Sequence, residues 1–226
     1  MTTNIPEYIQ AAVSSETRPD RDTDRDEGRR PAELMTFFGI APGQTVAELN
    51  SGWGYITGLL SEIVGDDGKV YSHTTEASIK RWNGNPIEKR IEKNAIRNIE
   101  IVVGTMDAPG LPQDLDAVLM IMNYHDAVWS GADRPAMNKA VLDALKSGGL
   151  FGVLDHQSQP GRGTEDCQSI HRIDKQVVID EVTAAGFEFE GESDILVNPD
   201  DPRTGQVHAK EIRDRTDRFV LKFRKP

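Results

Sequence analysis

Apolar residues recur along the chain in two alternating rhythms. Short apolar runs at 45–50, 69–73, 99–104, 115–122 and 150–154 have the length and β-branched content of strands. Longer segments between them carry apolar residues at helical spacing. Ile56, Leu59, Leu60, Ile63 and Val64 fall on one helical face, and Gly65 follows where a helix is closed. The same pattern predicts helices over 33–38 (closed by Gly39), 86–98, 136–146 (closed by Gly148) and 174–185 (closed by Gly186). Leu115–Met122 is apolar nearly throughout and suits a central strand buried on both faces. The last two runs, 187–193 and 218–223, include a clean alternation of Phe219, Leu221 and Phe223 against Arg218, Val220 and Lys222.

Strands alternating with helices imply an α/β fold: a doubly wound, mostly parallel, seven-stranded sheet with helices on both faces. The end of the chain breaks the rhythm. No helical pattern joins 187–193 to 218–223, so these two strands are expected to form a C-terminal antiparallel pair. The start differs as well. Residues 14–31 (SSETRPDRDTDRDEGRRP) are almost all polar or charged and by composition alone would be disordered. Residues 5–13, with Ile5, Tyr8, Ile9 and Ala12 at helical spacing, can form a short amphipathic helix before them. The expected division is an N-terminal arm, 1–31, either a floppy tail or a partly ordered lid, and a domain spanning 32–226.

Charge narrows the function classes. Against 26 Lys and Arg stand 37 Asp and Glu, a net charge of −11, which argues against duplex nucleic acid or an anionic membrane as partner. No apolar run approaches the ~18 residues of a spanning helix. Met1–Val13 lacks a basic start followed by an apolar core, so no signal peptide is read and a cytoplasmic location is expected. The single Cys167 excludes an intrachain disulfide and has no nucleophile signature around it.

The densest chemistry follows the first strand: Glu48-Leu49-Asn50-Ser51-Gly52-Trp53-Gly54, an acid followed by a glycine turn that opens a helix. Gly52 and Gly54 permit close backbone approach, and the helix N-terminus offers free N–H groups. The string is neither G-x-G-x-x-G nor a P-loop. It resembles the first motif of class I S-adenosylmethionine-dependent methyltransferases, acid-x-Gly-x-Gly-x-Gly, with Asn50 in place of the first glycine. Ala41-Pro42-Gly43, Gly65–Tyr71, Asn123-Tyr124-His125-Asp126, Asp155-His156, His171–Asp174 and Thr216–Phe223 are similar to a bacterial group of predicted small-molecule methyltransferases. The resemblance covers 28–226. It implies S-adenosylmethionine as cofactor, with Glu48, Gly52 and Gly54 on its methionine and ribose side; Asn50, Trp53 and Asn123 are further candidate cofactor-binding residues. It also implies Asp107 at the adenine amino group. The ribose acid expected after the second strand is replaced by Thr74, with Glu76 two residues on.

Three histidines, His73, His125 and His156, follow strands and are expected at the carboxyl edge of the sheet. Two of them adjoin an aspartate, His125-Asp126 and Asp155-His156. These four residues are the candidate catalytic group, either histidine serving as general base. His125, Asp126, Asp155 and His156 offer nitrogen and oxygen ligands that would suit a transition metal better than magnesium, but no metal-ligand spacing such as H-x-x-x-H is present, and no metal is expected. The connections 157–171 and 194–217 are polar and long enough to be lids or binding loops, with Arg162, Arg172 and Arg203 available to an anionic substrate. The expected activity is methyl transfer to a small-molecule acceptor through an O, N or S nucleophile, by a protein free to form a homo-oligomer. Two other readings stand beside it. One keeps the fold and the cofactor without methyl transfer, as other chemistry or a binding module. The other makes the acidic arm a dock for a basic partner.

Overall fold

The computed structural model describes residues 4–226; the first three residues of the arm lie outside the described residues. Four helices come first: α1 (Glu7–Val13), α2 (Asp20–Thr23), α3 (Asp26–Arg29) and α4 (Pro31–Phe38). Then follow β1 (Thr45–Leu49), α5 (Tyr55–Val64), β2 (Lys69–Thr74), α6 (Glu76–Arg81), α7 (Pro86–Asn94), β3 (Ile99–Val103) and β4 (Leu115–Ile121). The chain ends with α8 (Tyr124–Trp129), α9 (Arg134–Ala144), β5 (Leu145–His156), α10 (Lys175–Ala184), β6 (Glu188–Ser193) and β7 (Arg218–Arg224). No helix among the described residues is long and apolar enough to cross a membrane.

The seven strands form one sheet in the order β3-β2-β1-β4-β5-β7-β6. All neighbours from β3 to β5 are parallel, and β7 runs antiparallel to both β5 and β6. The expected antiparallel pair is therefore present, with β7 inserted between β5 and β6. Alternate residues of each central strand serve opposite faces, because strand side chains have a period of two. Leu119 and Ile121 of β4 pack with α1, α4, α5 and α7, whereas Val118 and Met120 pack with α8, α9 and α10.

Local chemistry sets the element ends. Asn85, Asp133 and Asp174 accept from backbone N–H groups at the starts of α7, α9 and α10. The helix expected over 86–98 stops at Asn94, where Ala95 turns left-handed (φ 51°). The helix expected to reach 146 stops at Ala144, since Leu145 already pairs with Leu115 in the sheet.

The arm is folded, against its composition. Ile9 is fully buried and Ala12 nearly so, against α4 and α5. The polar stretch is then held by specific partners. Arg18 grips Asp26 with two hydrogen bonds of 2.6 and 2.7 Å, Tyr55 donates to the same carboxylate at 2.6 Å, and Arg90 reaches Asp22 at 2.7 Å. Here charge is matched to charge across the structure, which composition alone does not register.

Candidate active site

The sheet order reverses between β1 and β4: from β1 the chain proceeds to β2 and β3 on one side, then crosses to β4 on the other. Ligand crevices of open α/β sheets lie at the carboxyl ends of strands beside such a reversal. Here each strand ends in a left-handed residue, Asn50 (φ 51°) after β1 and Met122 (φ 57°) after β4. The two ends are tied together. Asn50 Nδ2 donates to Asn123 Oδ1 at 2.9 Å, and Asn123 Nδ2 donates to the carbonyls of Asn50 and Ile121 at 3.1 and 2.7 Å. His73 fixes the glycine turn from below: its carbonyl accepts from Ser51 N, and its Nδ1 accepts from Asn50 N at 3.2 Å. Burial lowers His73 to about 4, so the ring stays neutral and can accept. It is a prop for the turn.

Two adjoining cavities open over this edge. The first, about 600 Å³, is lined by Glu76, Thr105, Met106 and Asp107 beyond β2 and β3. The second, about 340 Å³, lies over β1, β4 and β5 and is lined by Glu48, Gly52, Asn123, His125, His156 and His171, among others. Asn50, Ser78, Arg81, Asp126 and Trp129 line both, so the two form one crevice.

The residues at the first turn suit a nucleoside cofactor with a charged tail. Gly52 is left-handed (φ 59°) and nothing in the protein lies within 4 Å of where a Cβ would stand, so a ligand can approach its backbone. Asn50 Oδ1 is buried without a hydrogen-bond partner, an acceptor in place for an amine. Glu76 and Asp107 offer carboxylates for hydroxyl and amino groups in the larger cavity. Trp53, 55% exposed, lies beneath Arg21 of the arm, which also donates to its carbonyl at 3.2 Å. Glu48 is buried, accepts from Thr57 Oγ1, and is pushed by burial up to about 8.

Two residues of the motif stand elsewhere. Gly54 lines neither cavity; a Cβ there would come 2.3 Å from Ile87 Cδ1, so this glycine lets α7 pack against the turn. Thr74 is buried below the surface, with Oγ1 unbonded, and Glu76 is the residue that reaches the cavity.

On the far side of the crevice the histidines gather. His125 lies in the first turn of α8, and its Nδ1 is 2.7 Å from Asp155 Oδ1 at the end of β5. The other oxygen of Asp155 accepts His125 N at 2.9 Å, and Oδ1 also accepts His156 N at 2.7 Å. Asp155 is fully buried beneath the cavity, so it orients His125 and does not meet a ligand. His125 Nε2 faces Asp126 Oδ1 at 3.3 Å. Burial alone would lower His125, but Asp155 and Asp126 outweigh it and carry the ring up to about 10. His156 is held well below its ordinary value by burial and by the charge of His125. Its Nδ1 bonds Thr216 Oγ1 at 2.8 Å, which leaves Nε2 as the other nitrogen of a ring that lines the cavity.

Sequence reasoning did not anticipate His171 and His208 here. His171 stacks edge-on against His125 with ring centroids 5.3 Å apart, and His208 lies 5.1 Å from His171. They arrive on the two long connections, and nothing local in either sequence announces it. The arginines expected there are instead used structurally. Arg172 is fully buried against Asp201 at 2.8 Å, Arg203 pairs with Asp217, and Arg162 pairs with Asp166. The guanidiniums that do line the cavity are Arg25 and Arg29 of the arm, with Arg81 and Arg213. Cys167 is buried and its thiol is pushed up to about 12, which leaves it unreactive.

Comparison with known proteins bears on the fold and on the family. A ubiquinone/menaquinone biosynthesis C-methyltransferase, UbiE, from Shewanella woodyi is 28% identical over 167 residues, 72% of this chain. The chain spans 63% of the length of that curated relative. A SAM-dependent methyltransferase from Aquifex aeolicus superposes with a TM-score of 0.64 at 17% identity, covering 92% of this chain and 99% of that one. The [4+2]-cyclase SpnF superposes with a TM-score of 0.67 at 13% identity, covering 94% and 86%. At such identities the likeness is one of fold. Residues 29–187, however, match the family model of protein-L-isoaspartate(D-aspartate) O-methyltransferase (PCMT), and the chain belongs to this family within the class I methyltransferases, whose cofactor is S-adenosylmethionine.

Proposed function

We propose that this protein transfers a methyl group from S-adenosylmethionine to a small, anionic acceptor held in the histidine-lined cavity. The observation that carries this reading is the continuity of the two cavities. A nucleoside-sized space beside Glu76 and Asp107 runs past Asn50 and Gly52 into a second chamber of about 340 Å³. The larger space takes the adenosine and the turn takes the methionine end, with Asn50 Oδ1 accepting from its amine. S-adenosylmethionine supplies the electrophilic methyl group, so the chain has to orient two reactants, exclude water and receive a proton when one leaves.

The acceptor side supports the rest of the reading. A chamber of this size suits a small molecule. Arg25 and Arg29 share a single carboxylate, Asp214, at 2.7 and 3.2 Å; with Arg81 and Arg213 the guanidiniums on the wall outnumber the carboxylates of Asp126 and Asp214, Glu48 being held protonated, which leaves net positive charge over the chamber. That charge favours an acceptor bearing a carboxylate, phenolate or similar anion. His125 and His156 divide the remaining work by geometry. Both nitrogens of His125 face carboxylates, so its ring is held as part of the wall, while His156 Nε2 can take a proton.

Calorimetric titration with S-adenosylmethionine, S-adenosylhomocysteine and NAD(P) tests the cofactor assignment. The first two are expected to bind and the third to give no heat. Gly52→Val fills the open space at the turn and is expected to abolish binding in a protein that remains folded by circular dichroism. Unchanged affinity in that variant overturns the placement. Turnover follows once an acceptor is found by radiolabelled methyl transfer to a panel of small carboxylates, phenols and thiols beside an isoaspartyl peptide. His156→Ala is expected to lower it about 10²–10⁴-fold with cofactor affinity near wild type. A wild-type rate in that variant removes His156 from the reaction.

A further inference from the structure

The histidine cluster offers more than a base. We propose that His125, Asp126 and His171 form a binding site for one divalent first-row transition-metal ion on the wall of the acceptor chamber. One ligand atom from each of the three lies within 4.8 Å of the others. Asp126 Oδ1 is 3.3 Å from His125 Nε2 and 3.8 Å from His171 Nδ1. An ion bound at ~2.0–2.2 Å in tetrahedral geometry holds its ligands about 3.3–3.6 Å apart, so small side-chain movements close the site.

Three further features single this cluster out from a chance meeting of polar groups. The first is the support behind His125. Its Nδ1 is bonded to the fully buried Asp155 at 2.7 Å, which fixes the ring and directs Nε2 towards Asp126. A carboxylate behind an imidazole is the arrangement that orients metal-ligating histidines and raises their basicity. Asp155 is itself held by the backbone N–H groups of His125 and His156. The second is strain. His171 adopts a left-handed backbone (φ 56°), which a non-glycine residue takes up at a cost and which here brings its ring against His125. The third is charge. Asp126 and Asp155 together supply the two negative charges that a divalent ion balances, and Asp214 offsets part of the arginine charge across the chamber.

The donor set selects the ion. Two imidazoles and one carboxylate suit zinc, iron, cobalt or nickel and suit magnesium poorly, because magnesium demands oxygen ligands in near-octahedral array. Trp129 Nε1 donates to Asp126 Oδ1 at 2.6 Å and so holds this carboxylate in place beside the two imidazoles. His208, 5.1 Å from His171 by ring centroid and exposed, is the nearest further ligand; without it the remaining positions open on the chamber. The spacing along the chain conceals the site, because His125 and Asp126 lie on α8 and His171 on a connection 45 residues beyond Asp126.

Full-length protein stripped with chelator and titrated with Zn²⁺ by calorimetry, and with Co²⁺ by visible absorption, tests the proposal without cofactor or acceptor. One ion per chain is expected, with ligand-field bands of Co²⁺ bound to nitrogen and oxygen, and no binding of Mg²⁺. His171→Ala, at a half-buried position, and Asp126→Asn are each expected to weaken Zn²⁺ binding at least 10-fold in proteins that remain folded by circular dichroism. Asp155→Asn should weaken it 10–100-fold through the His125 ring. Absence of stoichiometric binding overturns the site, as does binding that survives both His171→Ala and Asp126→Asn. Because the readout is metal binding alone, its failure leaves the methyl-transfer reading standing, and failure of that reading leaves the metal site standing.

Discussion

Glu48 carries a carboxyl group at the base of the crevice that is 3% exposed and touches Thr57 Oγ1. Burial holds its proton up to about 8, whereas the unfolded chain releases it near the ordinary carboxylate value. The folded state therefore binds one more proton than the unfolded state between those limits. Stability from this group is complete at low pH and is lost as pH rises towards 8. Wild-type protein is expected to lose ~1–3 kcal/mol between pH 5 and pH 8 relative to Glu48→Gln, measured as paired urea unfolding curves across that range. Parallel pH dependence in the two proteins contradicts the buried, protonated state. At this same scale the glycines separate by environment. Gly52 faces open space and Gly54 faces Ile87, although the motif makes them look equivalent.

At the scale of elements, the strands were readable because burial on two faces leaves a compact apolar signature, as in Leu115–Ile121, where only Asp116 is not buried. The antiparallel end was readable from the missing helix between the last two strands. The short helices α6 and α8 were not, because six residues hold too little periodicity to stand out and α6 buries no side chain at all. The site divides along the same line. Glu48 and His156 stand at the carboxyl ends of β1 and β5, and Asn50, Gly52 and His125 follow strands, so topology alone brings them to one edge. His171, His208, Arg25 and Arg29 come from segments whose paths are set by tertiary pairs. Arg172 against Asp201, both essentially fully buried, joins the two long connections and so fixes where His171 and His208 arrive. An ion pair between residues 29 apart leaves no periodic trace in a sequence.

For the whole molecule, the crevice is covered by two segments that meet over it: the arm and the 194–217 connection. Asp214 is the junction. It accepts from Arg25 at 2.9 and 2.7 Å and from Arg29 at 3.2 Å, and those arginines and Asp214 all line the smaller, histidine-lined cavity. Gly28 permits the approach, since a Cβ there would stand 2.5 Å from the Asp214 carbonyl. Nearby, Arg218 at the start of β7 donates to the carbonyl of Gly28 at 2.6 Å. Beyond α1, the arm buries little apolar surface, so its closure rests on these polar contacts and on the Asp22–Arg90 pair. Polar closures of this kind open more readily than cores, and substrate sites are often gated by them. Asp214→Ala removes the shared carboxylate and leaves two adjacent guanidiniums repelling one another. Amide hydrogen exchange over residues 14–31 and 206–216 is expected to quicken at least 10-fold in this variant, with the sheet unchanged. In the wild-type protein, S-adenosylhomocysteine is expected to slow exchange in both segments together, because Arg25, Arg29 and Asp214 border the same chamber as Gly52. Exchange in the arm that ignores both the Asp214 substitution and the ligand would show that the two covers close independently of the site beneath them.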